Sequence, residues 1–147
     1  MIRVRRTMVV PRPLASAVDH LADFGNARDW DPATVSCVRL DEPPPGAPIE
    51  PGARWRNTSR FRGRTSDVDY RLAVREPDRL LFTGENRTVA VRDDMRFRAL
   101  PDGTTELTYE AVFRFKGVAR LVAPFLRKDV ERLADGVAER LPRATAP

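Results

Sequence analysis

ARWRNTSRF, residues 53–61, carries two interleaved patterns, and which one faces inward decides how the chain folds. One register holds Arg54, Arg56 and Arg60; the other holds Ala53, Trp55, Asn57, Ser59 and Phe61. In a β-strand successive side chains point to opposite faces, so the basic row and the Trp row lie on opposite sides of one sheet. Burying several unpartnered arginines costs far more than exposing them. The Trp row is therefore expected to face the interior. That leaves Asn57 and Ser59 as polar groups aimed into an apolar space, where neighbours, water or a ligand must satisfy them.

The same alternation recurs on both sides. Residues 2–10 place Ile2, Val4, Met8 and Val10 on one face, a first strand that Pro11 and Pro13 end. Leu14, Val18 and Leu21 follow at helical spacing up to Gly25, and Asn26 is placed to cap a second short helix ending near Trp30. A strand from Val35 to Leu40 leads into DEPPPGAPIEPG, a stiff loop holding five of the 13 prolines. After residues 53–61, strands are expected at 65–75, 79–84, 88–100 and 104–116, with Val68, Tyr70, Leu72 and Val74 sharing a face. The short turns between them predict an antiparallel meander. The period then changes: Leu121, Phe125, Leu126, Val130, Leu133, Val137 and Leu141 make a helical stripe, interrupted by Pro124 and closed by Pro142.

At 147 residues the chain has the size of one domain, expected over 1–142, with 143–147 as a flexible tail. No apolar run approaches a membrane span, and MIRVRRTMVV alternates where a signal peptide would be continuously apolar, so a cytoplasmic location is expected. The net charge of +5 admits nucleic acid as a partner. However, the basic residues are spread along the chain among Asp67, Asp69, Glu76 and Glu110, so none is expected. Cys37 is the only cysteine and reads as a small strand side chain. His20, the only histidine, falls off the apolar stripe of its helix and reads as a surface group; with Cys37 at an unrelated position, no metal site is expected. Phosphate loops, HExxH, CxxC and GxSxG are all absent.

A strand, two short helices, a run of antiparallel strands and a long last helix bury both apolar faces only by curling the sheet around that helix, an α+β arrangement. This order resembles the START-like, or helix-grip, superfamily, and most closely its polyketide cyclase/dehydrase and lipid-transport group. The resemblance rests on VVPRPLASAVDHLADFGNARDWDP, PGARW entering a strand, the VREPDRLLFTG turn, and PDGTTELTYE before the final helix. It implies an apolar cavity between the sheet and the long helix holding a lipid, polyketide or other hydrophobic molecule. It also implies gating loops at the cavity mouth, for which the proline-rich loop is the candidate.

Inward parity names the candidate lining: Trp55, Asn57, Ser59, Tyr70, Phe82, Met95, Tyr109 and Phe113 from strands, with Phe125 and Leu121 from the helix. No catalytic residue is assigned. Tyr109, and Asp93 in the inward register beside outward Asp94, are the candidates for a cofactor-independent cyclase, aromatase or dehydrase. Arg6 interrupts the inward face of the first strand, to pair with a carboxylate, anchor a ligand oxygen or reach the rim. The expected partner is a hydrophobic small molecule, with no cofactor, the protein being a monomer or a homodimer.

Overall fold

The computed structural model describes residues 1–147. Seven strands form one antiparallel sheet: β1 Ile2–Val10, β2 Thr34–Arg39, β3 Arg54–Phe61, β4 Arg64–Glu76, β5 Arg79–Glu85, β6 Val89–Ala99 and β7 Thr105–Phe115. Their order is β1-β7-β6-β5-β4-β3-β2, so the meander runs unbroken from β2 to β7 and β1 closes the far edge against β7. Between β1 and β2 lie α1, Leu14–Ala22, a 3₁₀ turn at Phe24–Asn26 and α2, Ala27–Trp30. The long C-terminal helix α3, Arg127–Ala144, lies across the concave side. This is the helix-grip architecture. No helix is long and apolar enough to cross a membrane.

Alternation in β3 comes out as the sequence reads. Trp55 and Asn57 are buried, and Arg54, Arg56 and Arg60 are exposed. On the convex face the basic row is crossed by carboxylates: Arg56 donates from Nε and Nη2 to Asp69, directly opposite on β4, at 2.9 and 3.1 Å. Arg79 meets Asp94 in the same way, and Arg98 meets Glu106. The exposed pairs Arg56–Asp69 and Arg98–Glu106 contribute little each but set cross-strand register, whereas Arg79–Asp94 is half-buried.

Several local expectations are corrected. A bulge between Leu72 and Val74 adds one residue to β4, so Val74 pairs with Leu81 and leaves the face shared by Val68, Tyr70 and Leu72. The second short helix is not capped by Asn26, whose Nδ2 instead donates to the His20 carbonyl; Asp23 caps the preceding 3₁₀ turn, accepting from Gly25 N–H. Pro142 does not end the last helix. It forfeits a single intrahelical bond in the final turn while keeping a helical φ, and α3 runs on to Ala144. Just beyond it, Thr145 is fully buried, donates to the Leu141 carbonyl and accepts at its own carbonyl from Arg12 Nε at 2.6 Å.

α3 is held on the sheet by two devices. Arg6, on the inward side of β1, donates to Glu131 at 2.6 Å and to Asp135 at 2.9 Å, so of its possible partners it takes helix carboxylates. Gly136 lets the helix approach the loop after α2 so closely that a Cβ there would lie 2.5 Å from Pro32 Cγ.

Candidate functional site

Side-chain size divides the concave face into a filled half and an open half. In the filled half Trp55, Phe82 and Met95 are at most 1% exposed and pack with Leu72, Leu80 and Leu107. Phe24, from the 3₁₀ turn, is driven into this cluster, its ring centroid 4.6 Å from Phe82, 5.9 Å from Trp30 and 6.1 Å from Trp55. Burying each large side chain of this kind contributes roughly 1.5–3 kcal/mol. Trp55, Phe82 and Met95 share the inward parity expected of lining residues but sit in solid core.

In the open half the inward positions are small. Ala111, Val91 and Val68, staggered across β7, β6 and β4, line the cavity together with Val130, Ala134 and Val137 of α3. Side chains this short do not span the gap between sheet and helix. What remains is a cavity of about 430 Å³, within the range of small-molecule sites. Asn57, Ser59, Tyr70, Tyr109 and Phe113 line it, with Phe61 and Phe115 at its open end.

Leu121 and Phe125 do not. They are 76% and 74% exposed, because Gly117 at positive φ and Pro124 break the stripe into two 3₁₀ turns, Gly117–Leu121 and Ala123–Leu126, before the α-helix begins at Arg127. The rim is made elsewhere. Arg64, Thr65 and Ser66 beside the β3–β4 turn, and Asn86 and Thr88 in the β5–β6 turn, border the cavity where it reaches the surface. Asn86 Oδ1 accepts from the Thr88 and Val89 N–H groups, and its Nδ2 donates to the Asp67 carbonyl, joining the two hairpins. The proline-rich loop is not at this mouth: Ile49 packs on the core beside α1, and its carbonyl accepts from Arg75, which also pairs with Asp19.

Two carboxyl groups face the cavity. Asp93 lies opposite Ala111 on β7, which makes Tyr109 its diagonal neighbour on the same face, within reach for long side chains. It is 4% exposed, and burial pushes its carboxyl up to about 8, with Asp31 nearby adding to the rise and the Tyr109 hydroxyl opposing it. At neutral pH Asp93 is thus largely protonated and able to donate. Asp31, at the end of α2, was not singled out by the sequence. Its carboxylate accepts from Ala33 N–H and from Thr34 Oγ1, both at 2.9 Å, and burial raises its pKa too. Asn57 Nδ2 donates to the same Thr34 hydroxyl at 2.9 Å, so a hydrogen-bonded chain runs from Asn57 through Thr34 to Asp31 along the cavity wall.

Tyr70 and Tyr109 both have pKa values raised well above the usual phenol value, chiefly by burial. They face the cavity as neutral donors. His20 and Cys37 take no part in it. His20 is half-buried on α1, against the expectation of a solvated group, and burial lowers its pKa; Cys37 is half-buried on β2, its thiol pushed up to about 11 by burial.

The family model described as polyketide cyclase/dehydrase and lipid transport matches residues 1–145. Comparison with curated proteins finds no match in sequence. Among solved structures, a START superfamily protein from Mycobacterium smegmatis superposes with a TM-score of 0.77 at 15% identity, covering 97% of this chain and 96% of that one. The Zhui aromatase/cyclase from a Streptomyces species gives 0.72 at 17% identity over 97% of this chain and 90% of its own. A protein of Thermus thermophilus gives 0.68 at 15% identity over 98% and 99%. At these identities the structural likeness speaks for the fold alone. With the family model spanning nearly every residue, the chain belongs to the polyketide cyclase/dehydrase and lipid-transport family, and it has a START-like fold.

Proposed function

We propose that the protein binds a hydrophobic small molecule, a lipid, polyketide or similar compound, between the sheet and α3. The observation that carries this reading is the cavity of about 430 Å³ itself, apolar over most of its wall, with the polar groups of Tyr70, Tyr109, Asn57 and Asp93 converging on it. An apolar body with a few acceptor oxygens suits that wall, because the Tyr70 and Tyr109 hydroxyls and the protonated Asp93 carboxyl can donate hydrogen bonds to carbonyl or hydroxyl oxygens. The first test is native mass spectrometry beside the denatured mass, followed by solvent extraction. A hydrophobic molecule released on unfolding is the expected result. A protein that is empty, and shows no thermal shift with a panel of lipids, quinones and aromatic polyketides, would overturn the reading.

A second reading is favoured by one observation, the juxtaposition of Asp93 and Tyr109. A carboxyl that titrates near 8 beside a neutral phenol is suited to general acid–base work near neutral pH. In a cofactor-independent cyclase or dehydrase the cavity would hold the substrate in a reactive conformer and this pair would move a proton or stabilise a developing enolate. Turnover that disappears in Tyr109→Phe and Asp93→Asn while binding persists would support the enzyme. Binding with every candidate substrate left unchanged would support the carrier.

A further inference from the structure

We propose that the segment from Lys116 to Lys128 is a docking surface for an anionic lipid bilayer, placed at the open end of the cavity. Its two 3₁₀ turns sort side chains sharply. Ala123 and Leu126 are buried and anchor the segment to the body, while Val118, Leu121, Val122 and Phe125 stand out at 85%, 76%, 50% and 74% exposure. Four large apolar side chains exposed within eight residues form the kind of contiguous patch that marks an interaction surface. Of the other exposed large apolar residues, Val9, Val35 and Val38 are scattered on the sheet, and Met1 borders the basic groove beside the patch.

Charge identifies the occupant. Between Lys116 and Lys128 there is no Asp or Glu. A surface groove beside the patch is lined by Arg114, Lys116, Arg120 and Arg127 with no carboxylate among its walls. Lys116 is engaged by Glu85 at 2.6 Å and Arg127 touches Glu131 only at 3.8 Å, whereas Arg114, Arg120 and Lys128 make no ion pair within the protein. Protruding apolar side chains flanked by cations match the layering of a bilayer interface, hydrocarbon beneath a sheet of phosphates. A second copy of the chain fits poorly, because a two-fold contact through this patch would set like charges against each other.

The patch is also continuous with the mouth. Phe115 forms part of both the basic groove and the cavity wall, and Lys116 Nζ donates to the Asn86 carbonyl on the rim. Seated on a membrane through Leu121 and Phe125, the protein would present its opening to the lipid phase. The docking does not depend on what the cavity holds.

The test is sedimentation of the full chain with vesicles of phosphatidylcholine alone or mixed with phosphatidylglycerol, together with Phe125→Trp fluorescence. Binding to the mixed vesicles is expected, with a blue shift of the introduced tryptophan. The Leu121→Ser/Phe125→Ser and Arg120→Ala/Arg127→Ala double variants should each weaken it about tenfold or more, since each removes one of two co-operating contributions. All four residues are exposed, so unchanged melting temperatures should show that the variants fold. The proposal is overturned if the wild-type chain stays in the supernatant with both vesicle types. It is equally overturned if Leu121→Ser/Phe125→Ser binds as the wild type does, or if the patch proves to hold a dimer that the same variant splits.

Discussion

Tyr70 and Gly84 face each other directly across β4 and β5, and a Cβ added to Gly84 would lie 2.8 Å from Tyr70 Cδ1 and 2.9 Å from Val68 Cγ1. The ring lies over the one position in its row without a side chain, with the Phe24 ring 4.5 Å away and tilted 35° to it. Gly84→Ala is therefore expected to push the ring off β5 and into the cavity. The cost should be about 1–3 kcal/mol in denaturant unfolding, as for other overpacked sites. Ligand capacity should fall with it. A variant with unchanged stability and capacity would show that Tyr70 has room to move elsewhere.

Asp93 should make stability depend on pH in a definite direction. Its folded pKa of about 8 lies well above the ordinary carboxylate value of 3.8, so the folded state holds the proton more tightly. The stabilisation from this group is complete below pH ~4 and is lost as pH rises through about 8. The wild-type protein should lose about 2–4 kcal/mol from this group between pH 5 and 9. Asp93→Asn, which keeps the shape without the charge, should flatten that part of the curve. Melting temperatures of both proteins across the range decide it, and parallel curves would assign the pH dependence to other groups.

Ala111 is the residue opposite Asp93, 2% exposed and bordering the cavity. Ala111→Leu should occupy part of the open volume, and cavity filling of this sort typically stabilises by about 0.5–2 kcal/mol. Binding should weaken while the melting temperature holds or rises. Lost binding together with lost stability would mean that the site is already close-packed.

Gly136 tests how α3 is seated. In an exposed helix Gly→Ala stabilises by roughly 1 kcal/mol, yet here the added methyl would meet Pro32 Cγ at 2.5 Å. Clash should outweigh propensity, because Pro32 lies in the turn between α2 and β2 and has little freedom to retreat. A net loss of about 1–3 kcal/mol is expected in chemical denaturation. A gain would show that helix and loop separate easily.

Much of this architecture is written in local pattern. Strict alternation in ARWRNTSRF placed Trp55 and Asn57 inside and the arginines outside, because the energetic gap between burying an indole and burying a guanidinium is large and depends on no distant residue. Turn residues marked the meander, and a change of period marked the last helix. Local pattern failed wherever two distant elements had to be fitted together. Val74 changed face because of a single bulged residue, and Leu121 and Phe125 left the helical stripe because Pro124 and Gly117 interrupt it.

Inward parity by itself determined which residues face the concave side; it carried no information on whether they meet something there. Trp55, Phe82 and Met95 became core because Phe24 and Trp30 arrive from the crossover helices to fill the space above them. Tyr70, Tyr109, Asn57 and Asp93 border a cavity because Ala111 and Val91 on the sheet and Val130 and Ala134 on α3 are too short to fill the space between them. Whether opposing side chains touch depends on the sum of their lengths against the distance between sheet and helix. That distance is set by the seating of α3, through Arg6 and Gly136, on residues more than a hundred positions away in the chain.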